Sequence, residues 1–127
     1  MAGTRSYRLG DLQLRIMKVL WKSGPASVAE VHADLGTGRL AYTTVATMLR
    51  KMEARGLVRH REQGRRFIYL PAVSEEEVNR STTADLVERL FEGSLADAVS
   101  HLLDTHEVST EELERLERMI QERKRRQ

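Results

Sequence analysis

The stretch AYTTVATMLRKMEARGLVRHREQGRRFIYLP, residues 41–71, decides the fold. Its first half has helical periodicity. At about 100° per residue, Val45, Met48, Leu49 and Met52 share one side, and Thr43, Thr47, Arg50 and Lys51 fall roughly opposite. A solvated helix face ordinarily mixes acids with bases. This one offers hydroxyls and cations with no carboxylate near its N-terminal end, which suits contact with an anion. In the second half, Leu57–Arg61 and Arg66–Leu70 are expected to pair as short strands. Gln63-Gly64 is expected at the tip, where glycine tolerates positive φ. Arg59, Arg61, Arg65 and Arg66 spread positive charge along this hairpin, with Glu62 its only acid.

Two further helices precede that stretch. From about Leu9 to Lys22, Leu12, Ile16, Val19 and Leu20 fall on one side, with Trp21 near the end, and Ser23-Gly24-Pro25 stops the helix. Ser27 and Glu30 have the spacing of a capping box, opening a helix striped by Val28, Val31 and Leu35. Gly36-Thr37-Gly38 breaks the chain before the helix at Tyr42. Three short helices and a basic hairpin, closed by Pro71, describe the winged form of the helix-turn-helix reader, in which one helix fits the DNA major groove.

Beyond Pro71 the chain reads as helix only. Ser74 caps a helix with Glu75, Glu76 and Glu77 in its first turn, where acids suit the helix dipole, and Gly93 stops it. Ser94 and Asp97 start another helix, and Ser109 and Glu112 form a second capping box for the last. The apolar positions are Val78, Leu86, Leu90, Phe91, Leu95, Val99, Leu102, Leu103, Leu113, Leu116 and Ile120. Some fifty residues bury such stripes poorly alone, so these positions are expected to form the interface of a C2 homodimer. The terminal RKRRQ needs no ligand to explain it, because cations near a helix C-terminus suit the dipole. The expected fold is mainly α with a small β-hairpin. A winged helix-turn-helix domain (1–72) precedes a three-helix dimerisation domain (73–127).

Charge divides along the same line. Residues 1–72 hold 13 Lys and Arg against 5 Asp and Glu, for +8; residues 73–127 hold 8 against 14, for −6. The net charge of +2 over 127 residues hides this asymmetry. One part attracts a polyanion and the other repels it. With no cysteine, disulfides, thiolate metal sites and thiol switches are excluded. Neither an apolar run of membrane-spanning length nor an apolar leader at MAGTRSYRLG is present, so a cytoplasmic protein without membrane insertion is expected.

No GxSxG, P-loop or HExxH motif occurs, and an enzyme is not expected. His101 and His106 are five apart, whereas helix-borne metal pairs use spacings of three or four, so no metal or other cofactor is expected. Two other readings of the residues stay open. The winged unit is a protein-interaction module whose basic face meets an acidic partner, or the dimer interface encloses a small-molecule or catalytic pocket.

With these motifs in view, the chain resembles the BlaI/MecI/CopY family of bacterial penicillinase repressors. The resemblance rests on LGDLQLRIMKVLW (9–21), AYTTVATMLRKMEARGLV (41–58), GRRFIYLP (64–71) and the EEL-x-x-L close at Glu111 to Leu116, and it covers nearly the whole chain. It implies a homodimeric repressor binding inverted repeats with TACA and TGTA half-sites in double-stranded DNA. Carried over by position, Thr43, Thr44 and Thr47 lie at base edges. Tyr42, Arg50, Lys51, Arg66 and Tyr69 hold phosphates, with Arg65 beside them. Threonine suits such a place, since its hydroxyl serves donor or acceptor edges and its methyl packs on thymine. Ala46 departs from the longer basic residue of relatives, leaving contact with a thymine methyl as its base contact. The cysteine-rich motif of copper-responsive members is lacking. In antibiotic-responsive members a membrane sensor protease triggers cleavage at an Asn-Phe bond. The aligned pair here is approximately Ser100-His101, so a sensor protease as inducer is implied without that bond.

Overall fold

The computed structural model describes residues 7–127 apart from 37 and 39. Thr37 of the expected break, and the first six residues of the segment read for a leader, lie outside the described residues. The elements run α1 (Asp11–Ser23), β1 (Ala26–Ser27), α2 (Val28–Leu35), α3 (Tyr42–Ala54), β2 (Val58–Gln63), β3 (Arg66–Pro71), α4 (Glu75–Phe91), α5 (Leu95–Thr105) and α6 (Thr110–Arg125). They form two compact units, Met1–Asp85 and Leu86–Gln127.

In the first unit the three helices and the hairpin close over one core. Ile16, Met17 and Leu20 of α1 meet Val31 of α2, Val45, Leu49 and Met52 of α3, and Val58 and Tyr69 of the hairpin. The helix starts follow capping chemistry. Ser27 Oγ accepts from the Glu30 amide at 3.2 Å, and the Glu30 carboxylate accepts from the Ser27 amide at 2.8 Å. Gly36 ends α2 in the left-handed region, at φ 67°. The inner side of α1 includes Met17, absent from the expected stripe, whereas Leu12 and Val19 are only partly buried.

The sheet has three strands in the order β1-β3-β2, all antiparallel. β1 is an addition to the expected hairpin. Its two residues pair Ala26 with Tyr69 and Ser27 with Ile68, so Ser27 serves both as strand and as helix cap. The hairpin closes on the pair Gln63 and Arg66, which moves the tip from Gln63-Gly64 to Gly64-Arg65, with Gly64 at φ 65°.

The first unit extends beyond the hairpin. Trp21 Nε1 donates to the Val73 carbonyl at 3.0 Å, and Val78 and Ser81 of α4 are buried. Val78, expected at a dimer interface, is instead 3% exposed within this core, and a side chain already covered by its own chain has no surface left to pair. The compact unit therefore runs past residue 72, where charge and element type change, and ends inside α4.

The second unit has little interior of its own. Among its described residues Ala98 alone is buried, and α6 buries none. Phe91 and His101 bring their rings to 5.6 Å. Ser94 and Ser109 each accept from the amide three residues on, at 3.1 Å. α4 ends with Glu92 at φ 50° and Gly93 at φ 83°, the Gly93 amide reaching back to the Val87 carbonyl at 3.0 Å.

Candidate nucleic-acid interface

α3 carries two strips, set by the 3.6-residue period. Along one, Thr43, Thr44, Thr47 and Lys51 are exposed and line, with Met48, a shallow groove of about 270 Å³. Along the other, Tyr42, Ala46 and Arg50 succeed each other by one turn and face the hairpin. With Arg65, Arg66, Phe67, Tyr69 and the start of α2 (Ser27 to Ala29) they line a cleft of about 380 Å³. The residues expected to touch bases and phosphates thus lie on one helix and the adjoining hairpin, divided between groove and cleft. Ala46 is half-buried and belongs to the cleft, apart from the three threonines.

Arg50 joins the two strips. Its Nη2 donates to Thr47 Oγ1 at 3.2 Å, leaving the threonine O–H free to donate elsewhere. The hairpin arginines divide by register. Arg59 and Arg61 stand opposite Leu70 and Ile68, whereas Arg65 and Arg66 at the tip line the cleft. Arg55, also basic, is held elsewhere, donating to Gln13 Oε1 at 2.9 Å and to the Arg8 carbonyl at 2.7 Å.

Two acids near this surface, Glu30 and Glu53, are engaged. Hydrogen bonding to the Glu30 carboxylate from the Ser27 backbone amide first and the Ser27 side chain second, with a smaller contribution from the Arg66 charge, holds the Glu30 carboxyl below its ordinary range. Glu53, near the end of α3, accepts a hydrogen bond from His60 of β2. Tyr69 is 2% exposed. Burial pushes its hydroxyl above the ordinary tyrosine range, the Glu53 charge adds to this and Arg50 opposes it, so the phenol stays a donor at neutral pH. His60, Glu53, Phe67 and the start of α2 were not among the residues singled out from sequence. Ser27 and Glu30 carried a signal, but one that reads as a helix cap.

In the second unit the expected interface positions lie largely open. Leu90 is 70% exposed, Leu95 67%, Ile120 56% and Leu102 51%, while Phe91 and Leu116 are half-buried. Met119, 55% exposed, extends the apolar side of α6 and was missing from the expected set. Among the described residues no three His, Cys, Asp or Glu side chains converge as a metal site, and no helix is long and apolar enough to cross a membrane.

The family model described as penicillinase repressor matches residues 9–122. The penicillinase repressor of Bacillus licheniformis is 29% identical over 120 residues, 94% of each chain. The transcriptional regulator BlaI of Mycobacterium tuberculosis is 33% identical over 118 residues, covering 91% of this chain and 84% of its own. Among solved structures, the DNA-binding domain of the repressor BlaI is 30% identical and superposes with a TM-score of 0.51, covering 59% of this chain and 93% of that domain.

Proposed function

Because the chain belongs to the penicillinase repressor family, we propose that it is a homodimeric, sequence-specific repressor that binds inverted repeats with TACA and TGTA half-sites in promoter DNA. One observation carries this reading: α3 exposes a strip of three threonines and a lysine beside a cleft lined by Arg50, Arg65 and Arg66. The strip has the chemistry of base edges, and the cleft that of phosphates.

In this account α3 enters the major groove. Thr43, Thr44 and Thr47 meet base edges, and each good contact discriminates by about 1–3 kcal/mol. Lys51 holds the backbone on the threonine side. On the wing side Tyr42, Arg50, Arg65 and Arg66 take phosphate, which sets register without reading sequence, whereas Tyr69, expected to do the same, is 2% exposed and backs the cleft instead. Ala46, turned to the cleft, contributes at most a methyl contact at its margin. The winged unit does the reading and the helical residues beyond Asp85 do the pairing.

The open apolar side chains of α4, α5 and α6 support the homodimer. A chain that leaves Leu90, Leu95, Leu102, Met119 and Ile120 more than half exposed has surface for a second copy to cover. Two heads then bind two half-sites, which raises affinity by effective concentration. The protein acts in the cytoplasm, and a sensor protease is its candidate inducer, although Ser100-His101 stands where antibiotic-responsive relatives carry Asn-Phe.

Selection of bound duplexes from a randomised pool tests the reading. Recovery of an inverted TACA–TGTA repeat supports it. Recovery of a single half-site removes the dimer, and an unenriched pool removes sequence-specific binding.

A further inference from the structure

Beyond its base the hairpin is poorly anchored. Val58, Ile68 and Tyr69 are buried, but every residue from Arg59 to Phe67 is exposed, and this outer part carries Arg65 and Arg66. One side-chain link reaches from it to α3. His60 Nδ1 lies 2.8 and 2.7 Å from the two carboxylate oxygens of Glu53, and it is the donor, since the carboxylate only accepts. Among the described residues no other hydrogen-bonded side-chain pair joins α3 to the hairpin. The same imidazole stacks on Phe67 at 4.2 Å and 23°, and lies 5.7 Å from the Tyr69 ring. His60 thus ties both strands of the hairpin to the last full turn of α3.

We propose that Glu53 and His60 are positioning residues that brace the wing against the recognition helix, so that Arg65 and Arg66 reach phosphate while the threonines reach bases. The inference rests on the DNA-binding reading above and adds to it a role for two residues that touch no DNA in it. Its distinguishing feature is a sign. Removing a carboxylate beside a polyanion-binding surface strengthens binding if charge alone matters. Removing the brace weakens it, because the wing must then be ordered when DNA binds.

Two measurements test this on the full-length protein. Operator affinity is measured for wild type, Glu53→Ala, Glu53→Gln, His60→Ala and the double Ala variant. Amide hydrogen exchange of residues 59–67 is measured on the free proteins. Glu53→Ala and His60→Ala are each expected to weaken operator binding about three- to fivefold, the scale of one partly exposed hydrogen bond. The double variant loses no more than His60→Ala alone, since Glu53 acts only through that imidazole. Glu53→Gln keeps an acceptor for Nδ1–H and stays near wild type. Exchange at the hairpin tip quickens in both Ala variants, while the α1 and α3 core amides hold their protection, which separates a freed wing from a failing fold. Tighter operator binding by Glu53→Ala, additive losses, or unchanged tip exchange overturns the brace. A wild type that does not prefer operator removes the DNA reading instead, and the exchange measurement then decides the brace alone.

Discussion

Leu90→Ala tests the dimer against the packing of the single chain. Leu90 is 70% exposed, the most open of the large apolar side chains among the described residues. Full burial of a leucine contributes roughly 1.5–3 kcal/mol, so covering its remaining surface contributes about 1–2 kcal/mol per protomer. A C2 interface uses the position twice, and truncation to alanine removes most of both contributions, about 2–3 kcal/mol per dimer. The dimer Kd is expected to rise roughly 30- to 150-fold. Sedimentation velocity over a dilution series reads this directly, and the Tm of the variant becomes more concentration-dependent in the same range. Val78→Ala is the contrast. That side chain is 3% exposed inside the first unit, so its loss of about 2 kcal/mol lowers the Tm at every concentration and leaves association alone. A Leu90→Ala protein that sediments as wild type at every dilution refutes the interface. A Val78→Ala protein that dissociates refutes its placement in the core.

Thr47→Ala should reduce discrimination between operator and scrambled duplex by about 1–3 kcal/mol, whereas Arg66→Ala should weaken both alike and flatten the log-log salt slope by about one. Competition titrations at several salt concentrations separate the two behaviours, and an interchange of them would reverse the assignments. The Glu30 carboxyl is held low by its bonds to Ser27, so its contribution to stability is present above the ordinary carboxylate range and disappears as pH falls through the lowered value. Ser27→Ala keeps the backbone amide, the larger cause, and removes only the side-chain hydrogen bond, so an NMR pH series should show Glu30 returning part of the way towards its ordinary titration; an unmoved midpoint would contradict the side-chain contribution. Glu92→Gly relieves a non-glycine φ of 50° and should stabilise by about 0.5–1 kcal/mol. Thermal unfolding checks it, and a lower Tm would show that Glu92 makes a contact that outweighs the strain.

Local chemistry made the first unit legible. The α3 apolar side, the Ser27–Glu30 box, the glycine stops and the basic hairpin each follow from a short-range rule, and Val45, Leu49 and Met52 are buried as their spacing predicts. What escaped depends on tertiary partners. β1 has two residues, too few to alternate, and exists because β3 offers it an edge. The tip moved by one residue because the Gln63–Arg66 pair sets the loop length. Val78 lies roughly 120° around α4 from Leu90, and apolar residues along one helix do not say what covers each of them; Val78, in the first turn, packs in the core of the winged unit. Periodicity likewise put Thr43, Thr47 and Arg50 on one face, while the hairpin's position turns Arg50 and Ala46 to the cleft. The link between Glu53 and His60 spans seven residues across an element boundary, and neither residue type signals it.

The central claim is tested most directly by a fluorescence-anisotropy titration of the full-length protein. One duplex bears a TACA–TGTA inverted repeat and the other a scrambled sequence of equal composition, each at low and near-physiological salt. A repeat preferred by about 10³-fold or more, with the preference surviving at higher salt, is the predicted result. Equal binding to both duplexes that fades together as salt rises would contradict it, leaving a basic surface without a sequence to read.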